Sequence, residues 1–148
     1  MPTVNDLLDR KASAEVFGVR VSTPATDAAA MLRKNKIGIL VCRDEDGAMV
    51  GVLSERDFVR AVAERAGEIA DLTAVDLITR DVETCIATDD LERVVRRMGA
   101  GGFRHMPVVD GKQVIGLISV TDIFRYYCDY KPDRQLDILT AYSTMSLS

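Results

Sequence analysis

What the chain lacks narrows its chemistry first. It holds one histidine, His105, so a metal centre built from several imidazoles is excluded, and a serine triad resting on that ring has no nucleophile elbow to serve. Cysteine is scarce and odd in number: Cys42, Cys85 and Cys128 share no CxxC spacing, which argues against both a disulfide framework and a zinc site. Cys42 falls in an apolar stretch and is expected to behave there as a small hydrophobe. No apolar run approaches the roughly 18 residues that span a bilayer, and the start, MPTVNDLLDR, has neither the basic end nor the apolar core of a signal peptide. The expected location is therefore the cytoplasm, away from membranes. An excess of basic residues is also missing: the net charge is −4 and the pI about 5.0, so a general affinity for nucleic acid is not expected. The one basic cluster, Arg93, Arg96 and Arg97, reads as a solvated helix face or as a phosphate contact across a dimer interface. A dinucleotide-binding glycine loop is absent too, because GAGGFR follows a charged helix and places Arg104 where GxGxxG needs glycine.

What the chain does have is a duplication. MVGVLSERDF, residues 49–58, returns as VIGLISVTDI, residues 114–123, so Gly51, Ser54 and Asp57 reappear as Gly116, Ser119 and Asp122. Upstream, NKIGILVC from residue 35 lies over GGFRHMPV from residue 101, and NDLLDR from residue 5 over VDLITR from residue 75. The hairpin between these blocks is shorter in the second copy, and both versions contain an Asp-Gly suited to a tight β-turn. Two units of about 65–70 residues are too long for solenoid repeats and short for independent domains, so one pseudo-symmetric core shared between them is expected. The division by repeat is 1–70, 71–130 and a tail from 131 to 148.

Val, Ile and Leu runs bounded by Gly and Asp predict strands near 19–22, 39–43, 49–53, 82–86, 106–109 and 114–118. Helical spacing predicts helices over 26–35, 55–67, 90–99 and 121–129, with a short one at 73–78. In the helix from residue 55, Phe58 and Val62 are expected on its buried face. After Pro132 a further helix over DRQLDILTAY is expected, available to pack on a partner chain.

Each copy closes with one hydroxyl and one carboxylate, in the order Gly, apolar, apolar, Ser, x, x, Asp. An ionised carboxylate can accept hydrogen bonds from both neighbouring hydroxyls of a ribose, and a helix start favours a phosphate. The same spacing is also that of a capping box, in which Ser caps the N3 amide and the N3 acid reaches back to the cap. Both readings stand at this point.

The duplicated GhhSxxD, with IGILVC, GVLSERD, FRHMPVV and GLIS, resembles a tandem pair of cystathionine-β-synthase (CBS) domains of the small stand-alone bacterial type, over almost all of the chain from Val4 to Tyr130. The resemblance implies an α/β (α+β) fold of two pseudo-symmetric β-α-β-β-α repeats packed through their small sheets into one module, and a homodimer of modules. It implies clefts for adenosine-containing ligands. The residues so assigned are Val21, Lys36, Ile37, Gly38, Ile39, Ser54, Arg56 and Asp57 in the first cleft. In the second they are Thr84, Arg104, His105, Met106, Pro107, Ser119, Thr121 and Asp122. Asp57 and Asp122 would take the ribose, the Ser54, Ser119 and Thr121 hydroxyls the phosphate or the ribose, Arg56 the phosphate, and the strand starts near Val21 and Thr84 the adenine.

Two departures suggest unequal clefts. Val41 stands where the second copy has Pro107, and the glycines of residues 99–102 are expected to loosen the approach to Arg104. With no catalytic constellation around Asp57 or Asp122, an enzyme is not expected. The expected function is a sensor binding an adenine nucleotide (AMP or NAD(H) first, then ADP or ATP) and reporting energy or redox state to a target protein. No catalytic cofactor and no metal enter this reading. The rival reading is an interaction scaffold whose clefts hold no ligand.

Overall fold

Each repeat is organised around a hairpin. In the first, β2 (Ile39–Arg43) and β3 (Met49–Ser54) pair antiparallel around a turn in which Gly47 takes φ 85°. In the second, β4 (His105–Asp110) and β5 (Gln113–Ser119) pair around Gly111 at φ 60°, with Asp110 opposite Gln113. Glycine relieves the Cβ clash that such angles impose on other residues. These features come from a computed structural model that describes residues 1–11 and 15–146. The remaining elements are α1 (Val4–Arg10), β1 (Gly18–Arg20), α2 (Ala25–Asn35), α3 (Glu55–Glu64), α4 (Ala74–Leu77), α5 (Leu91–Gly101), α6 (Val120–Tyr130), a 3-10 turn (Pro132–Arg134) and α7 (Gln135–Ser146).

By packing, the residues fall into two compact units: Val16–Val82, and Met1–Glu15 together with Glu83–Ser148. In the first, β1 joins β2 in parallel to complete a three-stranded sheet, and Leu32, Leu40, Cys42, Leu53, Ala74 and Leu77 are buried around it. In the second, β4 and β5 form a two-stranded sheet, and Val4, Leu7, Leu91, Val94, Met98, Met106, Ile118, Ile123 and Tyr127 make the core. The strand expected at 82–86 shrinks to one parallel bridge, Cys85 to Val108, held by the Cys85 amide on the Pro107 carbonyl (3.0 Å) and the Val109 amide on the Cys85 carbonyl (2.8 Å).

This packing division differs from the division by repeat, and the reason lies in the short leader that opens each repeat. In one unit the Val4 amide donates to Asp89 and the Leu91 amide to Pro2, at 2.9 and 3.0 Å. In the other, the Ala74 amide donates to Thr23 and the Ala25 amide to Leu72, at 2.8 and 2.9 Å. The two patterns match, so the leader of each repeat completes the core built by the other. The motif glycines lie under these leaders. A Cβ on Gly116 would come within 2.9 Å of the Leu8 side chain, and one on Gly51 would run into the Thr79 carbonyl oxygen. Gly51 is therefore the less replaceable, since a backbone carbonyl cannot swing aside as a side chain can.

The helices α2 and α5 end alike. Ile37 and Phe103 donate from their amides to Leu32 and Met98, both at 3.1 Å, around left-handed caps at Lys36 and Gly102. The glycines of residues 99–102 thus serve a tight helix stop, and Gly101 leaves the room that the Phe103 ring fills. One expectation needs correction. In α3 it is Asp57 and Ala61 that are buried, while Val62 is 44% and Val59 70% exposed, because the helix turns its 57/61 edge to the core. The tail helix α7 packs on its own unit: Ile138 and Ala141 are buried, and Tyr142 meets Phe124 edge to face.

Candidate ligand site

The hairpin registers assemble most of the sequence-assigned residues. Ile39 lies opposite Ser54, and the Glu55 amide donates to the Gly38 carbonyl (3.0 Å), which sets Lys36, Ile37, Gly38 and Ile39 beside Ser54, Arg56 and Asp57. The second unit repeats this: His105 lies opposite Ser119, and the Val120 amide donates to the Arg104 carbonyl (2.9 Å). Arg104, His105, Met106 and Pro107 thus stand beside Ser119, Thr121 and Asp122. Met106 and Pro107 are buried, and Arg56 and Thr121 occupy the exposed second position of their helices.

The adenine-side residues are not equivalent. The pairings Val19 to Cys42 and Cys85 to Val108 make Gly18 the counterpart of Thr84. Val21 follows the end of β1, and its amide donates to the Arg43 carbonyl (3.1 Å). It therefore lies at the far end of β2 from Ile39, roughly 13 Å away at the usual rise per strand residue. The structure does not bring it to the other seven. The spacing of 66 residues between the two Ile-Gly and Arg-His segments, applied to Thr84, would have picked Gly18 and its neighbour Phe17.

Beside the Lys36 to Gly38 segment is a hollow of about 590 Å³, lined also by Ala29, Leu32, Arg33, Glu55 and Phe58. Its size falls within the range of small-molecule sites. Arg33, Glu55 and Phe58 were not singled out from sequence. They reach the hollow because the last turn of α2 and the first turn of α3 converge on one strand end.

Both carboxylates fold back on their helix starts. Asp57 is 2% exposed. Its Oδ2 accepts from the Ser54 amide and hydroxyl (2.7 and 3.1 Å), and its Oδ1 from the Arg60 guanidinium (2.6 Å) and the Thr79 hydroxyl (2.9 Å). Asp122 is held more lightly, with its side chain 17% exposed. Its Oδ2 takes the Ser119 amide (2.9 Å) and the Lys11 ammonium (3.1 Å), and its Oδ1 has no partner among the described residues. The same return bond recurs at two leader helices, where Thr3 and Thr73 donate from their amides to Asp6 and Asp76 (2.8 and 2.9 Å). The Ser/Thr-x-x-Asp spacing is thus first of all a helix start, used four times among the described residues.

Behind these sites the chemistry is quiet. Burial pushes the Cys85 thiol up to about 12, with Asp89 adding and Arg97 opposing, and burial likewise raises Cys42. Both stay protonated at neutral pH and offer no thiolate nucleophile. Of the basic cluster, Arg96 pairs with Glu92 (2.8 Å), and Arg97 with Glu83 (3.4 Å) and the Thr84 carbonyl (2.8 Å).

Against known families, the model named CBS domain matches residues 4–64 and 74–129. The chain is a member of the CBS-domain family. Proteins built on CBS pairs are regulatory, and they bind adenosine-containing ligands. A CBS-domain containing protein from Agrobacterium tumefaciens is 33% identical, with a TM-score of 0.78 over 83% of this chain and 91% of that one. The CBS domain-containing protein CBSX3 of Arabidopsis thaliana, described as mitochondrial, is 26% identical over 95% of this chain and 71% of its own length. A solved CBS pair in complex with 5′-methylthioadenosine and S-adenosylmethionine is 27% identical, with a TM-score of 0.74, covering 85% of this chain and 99% of that one. Among the described residues no helix is long and apolar enough to cross a membrane.

Proposed function

We propose that this CBS pair binds an adenine nucleotide, AMP or NAD(H) ahead of ADP and ATP, and reports energy or redox state to a target protein from a cytoplasmic homodimer. The observation that carries the reading is Oδ1 of Asp122, which has no partner among the described residues, on a side chain 17% exposed beside a helix start and near Arg104, His105 and Thr121. A vicinal diol supplies the two donors that this oxygen can take, and charge-assisted bonds of this kind are the strong ones. The repeats as read from sequence, 1–70 and 71–130, are on this view two halves of one sensor with unequal clefts.

In the first copy a specific observation favours a structural role. Asp57 has both oxygens engaged and almost no exposure, so there the acid closes the capping box on Ser54 and pairs with Arg60, and Lys36, Ile37, Gly38 and Arg56 are left as the ligand-facing groups. Val21 drops out of this cleft for its distance. Ligand binding favours one arrangement of the protein only by its difference in affinity between states.

Thermal-shift and calorimetric titration with AMP, NADH, ADP, ATP, S-adenosylmethionine and adenosine tests the proposal. A ligand at 100 times its dissociation constant stabilises the fold by about 2.7 kcal/mol. No shift with any of the six would leave the scaffold reading standing.

A further inference from the structure

The two acids of the motif differ in what neutralises them, and the difference is written in their leaders. In the first copy the partner of Asp57 is Arg60 on the same helix, helped by the Thr79 hydroxyl. The residue in the place of Arg60 in the second copy is Arg125, which makes no ion pair with Asp122. The place of Thr79 is taken by Asp9, which lacks the hydroxyl that serves Asp57 in the first copy. Asp122 is served instead by Lys11, which ends α1 and comes from the other end of the chain. The residue in the place of Lys11 in the other leader is Asp81, so this lysine has no counterpart in the first copy.

The ammonium of Lys11 is fixed from two sides. It donates to the Leu117 carbonyl at 2.6 Å and lies 3.1 Å from Asp122 Oδ2. An ammonium carries three donors, so one N–H has no partner among the described residues, on a side chain that is 25% exposed. α1 itself is seated firmly, with Leu7 buried and Leu8 packed over Gly116. The site therefore places a cationic donor on one oxygen of Asp122 and leaves the other oxygen without a partner among the described residues.

From this pairing we infer that Lys11 is a specificity-determining residue of the Asp122 site, selecting adenosine ligands that carry a phosphate over the neutral nucleoside and over the sulfonium S-adenosylmethionine. The inference rests on the nucleotide reading above. With Lys11 in place, the acid presents no net negative charge to attract a sulfonium, while the remaining N–H offers a phosphate oxygen a charge-assisted bond. The diol is held by Asp122 Oδ1 in all three ligands and does not discriminate among them.

The test is calorimetric titration of the intact protein with AMP, adenosine and S-adenosylmethionine, on the unaltered chain and on Lys11→Gln, Lys11→Met and Lys11→Arg. Gln removes the charge but keeps a polar side chain, Met removes both, and Arg restores the charge. Thermal melts establish that each variant is folded. The unaltered chain is expected to prefer AMP to adenosine by about tenfold or more, the worth of one charge-assisted bond. Gln and Met should erase that preference by weakening AMP alone, and Arg should recover it. A second readout needs no variant: AMP affinity should fall with added salt while adenosine affinity holds. Equal weakening of AMP and adenosine by Gln and Met, or a preference unchanged by them, overturns the role of Lys11 and leaves the nucleotide site intact. Absence of binding by all three ligands to the unaltered chain overturns both.

Discussion

Asp57 and Asp122 occupy the same place in the same motif, yet their surroundings assign them different work. Removing a cap residue costs about 0.5 to 2 kcal/mol. Asp57 also satisfies Arg60 and Thr79, and bonds to charged groups are worth more than neutral ones. Asp57→Ala is therefore expected to lower stability by about 2 to 3 kcal/mol in chemical denaturation, and Asp122→Ala by about 1 kcal/mol. Nucleotide titration should invert that order: Asp122→Ala loses the ligand, and Asp57→Ala, where folded, keeps it. Equal losses in both assays would show that the partners around each acid do not matter. The motif was legible in the sequence, but its environment was not. Nothing in SERD or SVTD says which carboxylate oxygen is left open, because that depends on Thr79, Arg60 and Lys11, which are placed by folding. The sequence did hold a warning in TVND and TAVD, where the same spacing does nothing but start a helix.

Helices and strands were read best where a periodic pattern coincided with a local stop. The left-handed caps at Lys36 and Gly102 end α2 and α5 within two residues of the expected bounds, and the Asp-Gly turns fixed both hairpins. Residues 82–86 failed as a strand because a β-branched run says nothing about how many bonds the neighbouring strand has to offer. Val62 was misplaced for a related reason: hydrophobic spacing marks a stripe, and α3 carries an apolar edge on its exposed side as well. The tail shows the same ambiguity. In α7, Ile138 is 2% exposed and Leu136 74% exposed, although both are aliphatic residues of one helix. Ile138→Ala should cost about 2 to 4 kcal/mol and Leu136→Ser less than about 0.5 kcal/mol, measured as shifts of the urea midpoint. Similar costs for the two would mean that α7 does not sit on its own unit in solution.

At the scale of the whole chain, the leaders decide how the parts depend on one another. Residues 2–10 open the first repeat in sequence but bond to Asp89 and Leu91, and they place Val4 and Leu7 in the core that contains β4, β5, α5 and α6. Deleting residues 2–10 is therefore expected to raise amide hydrogen exchange in β4, β5 and α5 by a factor of ten or more, about 1.4 kcal/mol of lost protection, while β1, β2 and β3 change little. The opposite pattern, with exchange rising in the strands that directly follow the deletion, would contradict the packing described for α1. The repeat itself was plain in the sequence. The crossing of its leaders was not, because alignment of NDLLDR with VDLITR shows that two segments are alike without showing which sheet each one covers.

That crossing bears on descent. A gene holding a single copy would encode a polypeptide whose opening helix had no sheet of its own to lie on and whose hairpin glycine faced water. Two such molecules could complete each other only by trading those helices, so an ancestor of this kind would have been an obligate pair before tandem fusion joined it. Within one chain the two copies need not stay identical, and the lysine at 11 and the aspartate at 81 mark one place where they differ.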